Sequence, residues 1–135
     1  MDIKEQVTPG ISAPTDDSKV FSMNRTYIAG PMTGYANLNF PAFHAAAAEQ
    51  RAAGHEVINP AEINGGADEL VACADMDAAE LAAHWQTCMR KDITQLMTCD
   101  RIVMLDGWTA SRGATLEHHV AQALGMAVIE VGVRP

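Results

Sequence analysis

The chain is short of aromatic residues, basic residues and cysteine, and each shortage narrows what it can be. Aromatics make up 5% of its 135 residues, so a core has to be assembled from small aliphatic side chains and methionine. Nine Lys and Arg stand against 17 Asp and Glu, a net charge of -8. An acidic surface without clustered cations argues against nucleic acid or an anionic membrane as partner. It leaves room for a small anion held by backbone N–H groups. The three cysteines, Cys73, Cys88 and Cys99, are odd in number and form no C-x-x-C. That pattern disfavours a disulfide framework or a Cys-type zinc site and points to buried, reduced thiols in a cytoplasm. No apolar run is long enough to span a bilayer, and the N-terminus carries no signal-peptide core.

What is present suits one domain. About half the residues are hydrophobic (48%), enough to bury a real core at this length. Residues 1–22 have no helical or strand period and are rich in Pro, Gly, Ser and Asp. They read as a flexible extension ahead of a single domain over 23–135. Beyond them the pattern alternates. "TYIAG" (Thr26–Gly30), "HEVINP" (His55–Pro60), "RIVMLD" (Arg101–Asp106) and "MAVIEV" (Met126–Val131) read as strands. Helices are expected over Asn39–Gly54, with Pro41 in the first turn and Gly54 at the end. A longer helix follows over about Asp77–Met97, another after "GWTASRGAT", and a single helical turn near Asp68–Cys73. Near-continuously apolar strands alternating with helices predict an α/β fold. The expected form is a Rossmann-like or flavodoxin-like parallel sheet of four to five strands with helices on both faces. Ligands of such sheets bind at the carboxyl ends of the strands. The loops after Gly30 and Asn59 and the turn after Asp106 are therefore expected to meet at the site.

Two carboxylates interrupt apolar patterns. On the long helix Trp85, Met89 and Leu96 form a stripe whose missing member is Asp92. It is an inward-facing carboxylate, or else a partly exposed edge residue or a carboxylate paired with a nearby Lys or Arg. On the later helix Leu116, Val120, Ala123 and Leu124 read as the sheet-facing stripe, with Glu117 at its border and near the positive helix end. If Glu117, Asp92 and Asp106 share a cleft, mutual repulsion drives their pKa values apart, as acid-base sites require. The turn before Glu117 supplies Ser111, Arg112 and Gly113 at a helix N-terminus, a plausible anion cradle, though also a plain capped turn. It is neither a Walker loop nor a G-x-G-x-x-G. "EHH" does not read as a metal site, because neighbouring helical residues diverge by about 100°. His118 is expected in solvent and His119 at the pocket edge.

"D-I-x-x-L-x-x-C-D-x-I-V-x-L" followed by "S-R-G-A-x-x-E" resembles the nucleoside 2-deoxyribosyltransferase superfamily, which includes 2'-deoxynucleoside 5'-phosphate N-hydrolases. The strings Tyr27–Tyr35, Asn39–Phe43 and Gly54–Pro60 resemble a branch frequent in phage genomes, and the likeness runs from Thr26 to about Val131. The resemblance implies a Glu nucleophile at Glu117 that attacks C1' of the sugar, and an Asp at Asp92 that protonates the leaving base or orients the nucleophile. It implies a phosphate-binding Ser at Ser111. It implies a first loop (Gly30, Pro31, Met32, Thr33, Gly34, Tyr35) closing over sugar or phosphate. Asn59, Asp106, Trp108, Arg112 and Gly113 complete the expected substrate contacts. No cofactor and no metal are implied. The partner is a small nucleoside or nucleotide, and the protein a homodimer or higher homo-oligomer. His119 stands where characterised enzymes carry a Gly, and the first loop lacks their Arg. The sequence expectation is therefore an N-glycosidic enzyme, hydrolase or transferase, acting on a 2'-deoxynucleoside or its 5'-monophosphate. The alternative is a nucleotide-binding module without catalysis.

Overall fold

The computed structural model describes residues 25–63 and 75–131. The expected N-terminal extension and the helical turn near Asp68–Cys73 lie outside the described residues. The elements follow the expected alternation. Strand β1 (Arg25–Ala29) leads to helix α1 (Phe40–Ala52), β2 (Glu56–Ile58) and a one-turn helix α2 (Pro60–Ile63). After them come α3 (Ala78–Leu96), β3 (Arg101–Met104), α4 (Arg112–Ala123) and β4 (Ala127–Glu130). All three strand pairs are parallel, and the sheet order is β2-β1-β3-β4. The fold is thus the expected α/β architecture with a four-stranded parallel sheet. Among the described residues no helix is long and apolar enough to cross a membrane.

The period of two along the strands decides which helix covers which face. Tyr27, Ala29, Ile102 and Met104 point to one side, where Leu96 of α3 and Ala114 and Ala121 of α4 complete the core. Ile28, Val103 and Leu105 point to the other, against Phe40, Phe43, Ala46 and Ala47 of α1. Both faces are covered, so β1 and β3 read as unbroken apolar runs. Alanine supplies much of the helix side of each interface. A small side chain lets a helix lie close to the sheet at crystal-like packing density, and this is how a chain with few aromatics still builds a dry core.

Local signals set the helix ends. Asp77 caps α3: its Oδ1 accepts from the Glu80 N–H at 2.8 Å, and Glu80 accepts from the Asp77 N–H at 2.9 Å. Such reciprocal caps contribute about 1 kcal/mol. Ser111 caps α4, accepting from the Ala114 N–H at 3.1 Å. The entry to α1 is less ordinary. Asn37, Leu38 and Asn39 all have positive φ (52°, 53° and 60°), a left-handed run that Asn adopts more readily than Leu. It is held by the Asn39 amide donating to the Pro31 carbonyl at 2.9 Å and by Leu38 packing on the α1 side of the core.

Candidate functional site

Sheet order places the carboxyl ends of β1 and β3 side by side. The chain leaves them in opposite directions, β1 toward α1 and β3 toward α4, and the crevice that opens between such departures is where parallel sheets hold ligands. Close approach of the two strands needs Gly30: a Cβ there would lie 2.7 Å from Cβ of Leu105. Above this point lies a cleft of about 750 Å³, within the range of small-molecule sites.

Glu117 lines the cleft and is 5% exposed. It does not sit at the border of the sheet-facing stripe as expected. Ala114, Glu117 and Ala121 are the buried residues of α4, while Leu116 and Leu124 are 41% and 54% exposed. The carboxylate thus occupies the centre of the row that packs on the sheet. Tyr27 of β1 makes this possible: its hydroxyl donates to Glu117 Oε2 at 2.5 Å. Asp92 of α3 is 6% exposed and lines the same cleft, so it faces inward and is not a partly exposed edge residue. Burial is the main cause that pushes the Glu117 carboxyl up, to about 8. The Tyr27 hydrogen bond works the other way, and the Asp92 charge adds to the rise. Tyr27 is itself pushed well above its ordinary value by burial, then by the charges of Glu117 and Asp92.

The rim assembles much of the expected substrate surface. Gly30, Pro31, Met32, Thr33, Gly34 and Tyr35 line the cleft from one side. Ser111, Arg112 and Gly113 line it from the start of α4. Tyr35 reaches across to the turn before α4, where a Cβ on Gly107 would meet its hydroxyl at 2.7 Å. Gly113 lets α4 press on α3, since a Cβ there would be 3.3 Å from Sδ of Met89. The Arg112 guanidinium lies over the Trp85 indole at 3.6 Å from the ring centroid.

Three expected site residues lie elsewhere. Asn59 is buried, but its side chain is used locally: Oδ1 accepts from the Ala61 N–H at 3.0 Å and Nδ2 donates to His44 Nδ1 at 3.2 Å. Its neighbour Pro60, not Asn59, reaches the cleft. Asp106 is exposed and outside the cleft lining, so of the three expected carboxylates only Glu117 and Asp92 line the cleft. Trp108 turns away, stacks on His118 at 4.3 Å and donates through Nε1 to Glu130 at 3.3 Å. That stack covers His118, which was expected in solvent, while His119 is exposed and does not line the cleft. Glu117, His118 and His119 face three directions, as helical geometry requires.

The sequence reading missed Tyr27 as a site residue, although its strand alternation marks it as inward. It also missed the wall that α3 contributes through Leu81, His84 and Cys88, and the aromatic floor of Phe40 and Phe43. Cys88 is half-buried on that wall, not in the core. No curated protein matches the chain. The chain belongs to the family described as a domain of unknown function (DUF4406), which matches its residues 24–130.

Proposed function

We propose that the protein cleaves the N-glycosidic bond of a 2'-deoxynucleoside or its 5'-monophosphate, with Glu117 as nucleophile. The observation that carries the reading is a buried carboxylate, hydrogen-bonded to Tyr27 and close enough to Asp92 to feel its charge, lining a cleft of nucleotide size. Retaining cleavage of a glycosidic bond needs one ionised carboxylate and one proton donor at the bond. In this reading the Glu117 carboxylate attacks C1', the bond to the base breaks, and Asp92 delivers a proton to the departing base or holds the nucleophile in line. Water or a second base then displaces Glu117 from C1'. Tyr27 donates to the anion and keeps it oriented. Ser111, Arg112 and the first N–H groups of α4 hold a 5'-phosphate. The resemblance to the nucleoside 2-deoxyribosyltransferase superfamily supports the same assignment.

One observation favours a second reading. A carboxyl pushed up to about 8 holds its proton at neutral pH and can donate to a ligand oxygen. That suits a nucleotide-binding module without chemistry. Incubation with the four 2'-deoxynucleoside 5'-monophosphates and their nucleosides separates the two. Free base on chromatography supports the enzyme, and a thermal shift without base release supports the binder. Glu117→Ala abolishes base release in a folded protein if Glu117 is the nucleophile. Wild-type turnover in that variant, or its unfolding, removes the proposal. Loss of Asp92 as proton donor is expected to cost roughly 100- to 10,000-fold for poor leaving bases. Ser111→Ala is expected to raise KM for phosphorylated substrates alone.

The same reading makes the protein a cytoplasmic homo-oligomer, most simply a dimer, with a nucleoside or nucleotide and no nucleic acid or membrane as partner. Leu81, Leu116, Met97 and Leu124 remain exposed on α3, α4 and their ends and supply apolar surface for a second copy. Light scattering at tens of micromolar tests this, and a monomer mass counts against it.

A further inference from the structure

We infer that Cys88 and His84 form a thiol–imidazole pair that makes the cleft a covalent site for apolar, uncharged electrophiles, specifically alkenes conjugated to a carbonyl. The two residues are one turn apart on α3, with Cys88 Sγ 3.4 Å from His84 Nε2. Both line the cleft that holds Glu117, and the proposed reaction uses neither. With the imidazole proton on Nδ1, Nε2 is placed to take the thiol proton, and the thiolate is the reactive form. Leu81, Trp85 and Met89 on the same helix, with Phe40 and Phe43, give the cleft an apolar part, and Asp92, one turn beyond Cys88, adds a carboxylate to the same wall. A neutral conjugated alkene can pack on that apolar part of the lining.

The step balances without a further reagent. The Cys88 proton passes to His84 Nε2. The sulfur lone pair forms an S–C bond to the β-carbon, and the alkene π electrons move to the α-carbon. The α-carbon then takes the proton back from His84. Nothing leaves, and nothing is oxidised or reduced. Cys99 provides an internal contrast. It is 8% exposed, its Sγ donates to the Gln95 carbonyl, and burial pushes its thiol up to about 11. The adduct on Cys88 occupies space the proposed function gives to substrate. That consequence rests on the proposed function, whereas the reactivity of the thiol does not.

The test is N-ethylmaleimide on the whole protein near neutral pH, with the rate at each cysteine read by peptide mass spectrometry. An ordinary thiol is only a few per cent thiolate there, so Cys88 should react at least about tenfold faster than Cys99, and His84→Gln should slow Cys88 about tenfold. The Cys99 rate reports folding: it stays slow in an intact variant, and if His84→Gln exposes it, His84→Ser is read in the same way. Equal rates at Cys88 and Cys99, or an unchanged Cys88 rate in the folded His84 variant, overturn the inference. The alkylated protein should also lose binding of 2'-deoxynucleoside 5'-monophosphates by calorimetry. Undiminished binding overturns the placement of the adduct in the ligand cleft. Absence of nucleotide binding in the unmodified protein counts instead against the proposed function, and the alkylation rates then decide the inference alone.

Discussion

The Tyr27 hydroxyl donates to Glu117 Oε2 across 2.5 Å, although ninety residues separate the two in the chain. The bond joins the central strand β1 to the inward row of α4. It sets a hydrogen bond that favours the Glu117 anion against burial that disfavours it, and burial prevails.

That imbalance makes stability depend on pH. The folded-state value for Glu117, about 8, lies above its ordinary 4.5. The folded protein holds this proton more tightly than the unfolded chain. The contribution is complete below pH 4.5 and is lost as pH rises through about 8. Each unit corresponds to about 1.4 kcal/mol, so the loss is on the order of 5 kcal/mol at most. Urea unfolding at pH 5 and pH 9 should show the wild type weakening and Glu117→Gln nearly flat. An equal slope in both proteins would assign the effect to another group.

The neighbours of Glu117 should move its titration in opposite directions. Tyr27→Phe removes the bond that favours the anion and shifts the midpoint up. Asp92→Asn removes a repelling charge and shifts it down. Carboxyl carbon-13 resonances followed through a pH series read both shifts directly. If the protein releases base, the acid limb of the rate profile should follow the same order.

Asn59→Ala should behave as a structural variant. Its amide satisfies the Ala61 N–H and His44 Nδ1 away from the cleft, so its loss should cost about 1–2 kcal/mol. Ligand affinity should stay within about twofold, since every 1.4 kcal/mol is tenfold and no direct contact is lost. A large drop in affinity at unchanged stability would return Asn59 to the site.

Gly107→Ala should do the reverse. Position 107 has φ +85° and its Cβ would meet the Tyr35 hydroxyl at 2.7 Å. The left-handed backbone costs about 1 kcal/mol, and displaced Tyr35 no longer closes the rim. Calorimetry should show weaker nucleotide binding with a modest fall in Tm. Unchanged binding would mean that Tyr35 takes no part in holding the ligand.

The strands and the three longer helices were legible in the sequence because both faces of the sheet are covered: β1 and β3 are continuous apolar runs, and their ends fall where glycine, proline and caps interrupt them. Asp92 was legible for the same reason, as a gap in a regular stripe. Glu117 was found, but its face was misjudged. Pattern reading puts Leu116 and Leu124 inward, yet a helix this close to a sheet is better fitted by Ala114 and Ala121, and Glu117 shares their row. Tyr27 could not be paired with Glu117 from spacing, since that contact exists only once the sheet has formed. Asn59 and Trp108 sit at the right strand ends, but local hydrogen bonds and stacking direct their side chains elsewhere.

The sheet order also has a consequence for synthesis on the ribosome. Once β1 has emerged it can pair with β2 soon afterwards, but its other neighbour, β3, follows about seventy residues behind it. At roughly 5–20 residues per second that side of β1 stays open for roughly 4–15 s. During that time Tyr27 and Ile28 lie on a bare strand edge, the kind of template that nascent chains and chaperones capture. Translation speed between the two strands is therefore a variable on which the yield of folded protein should depend.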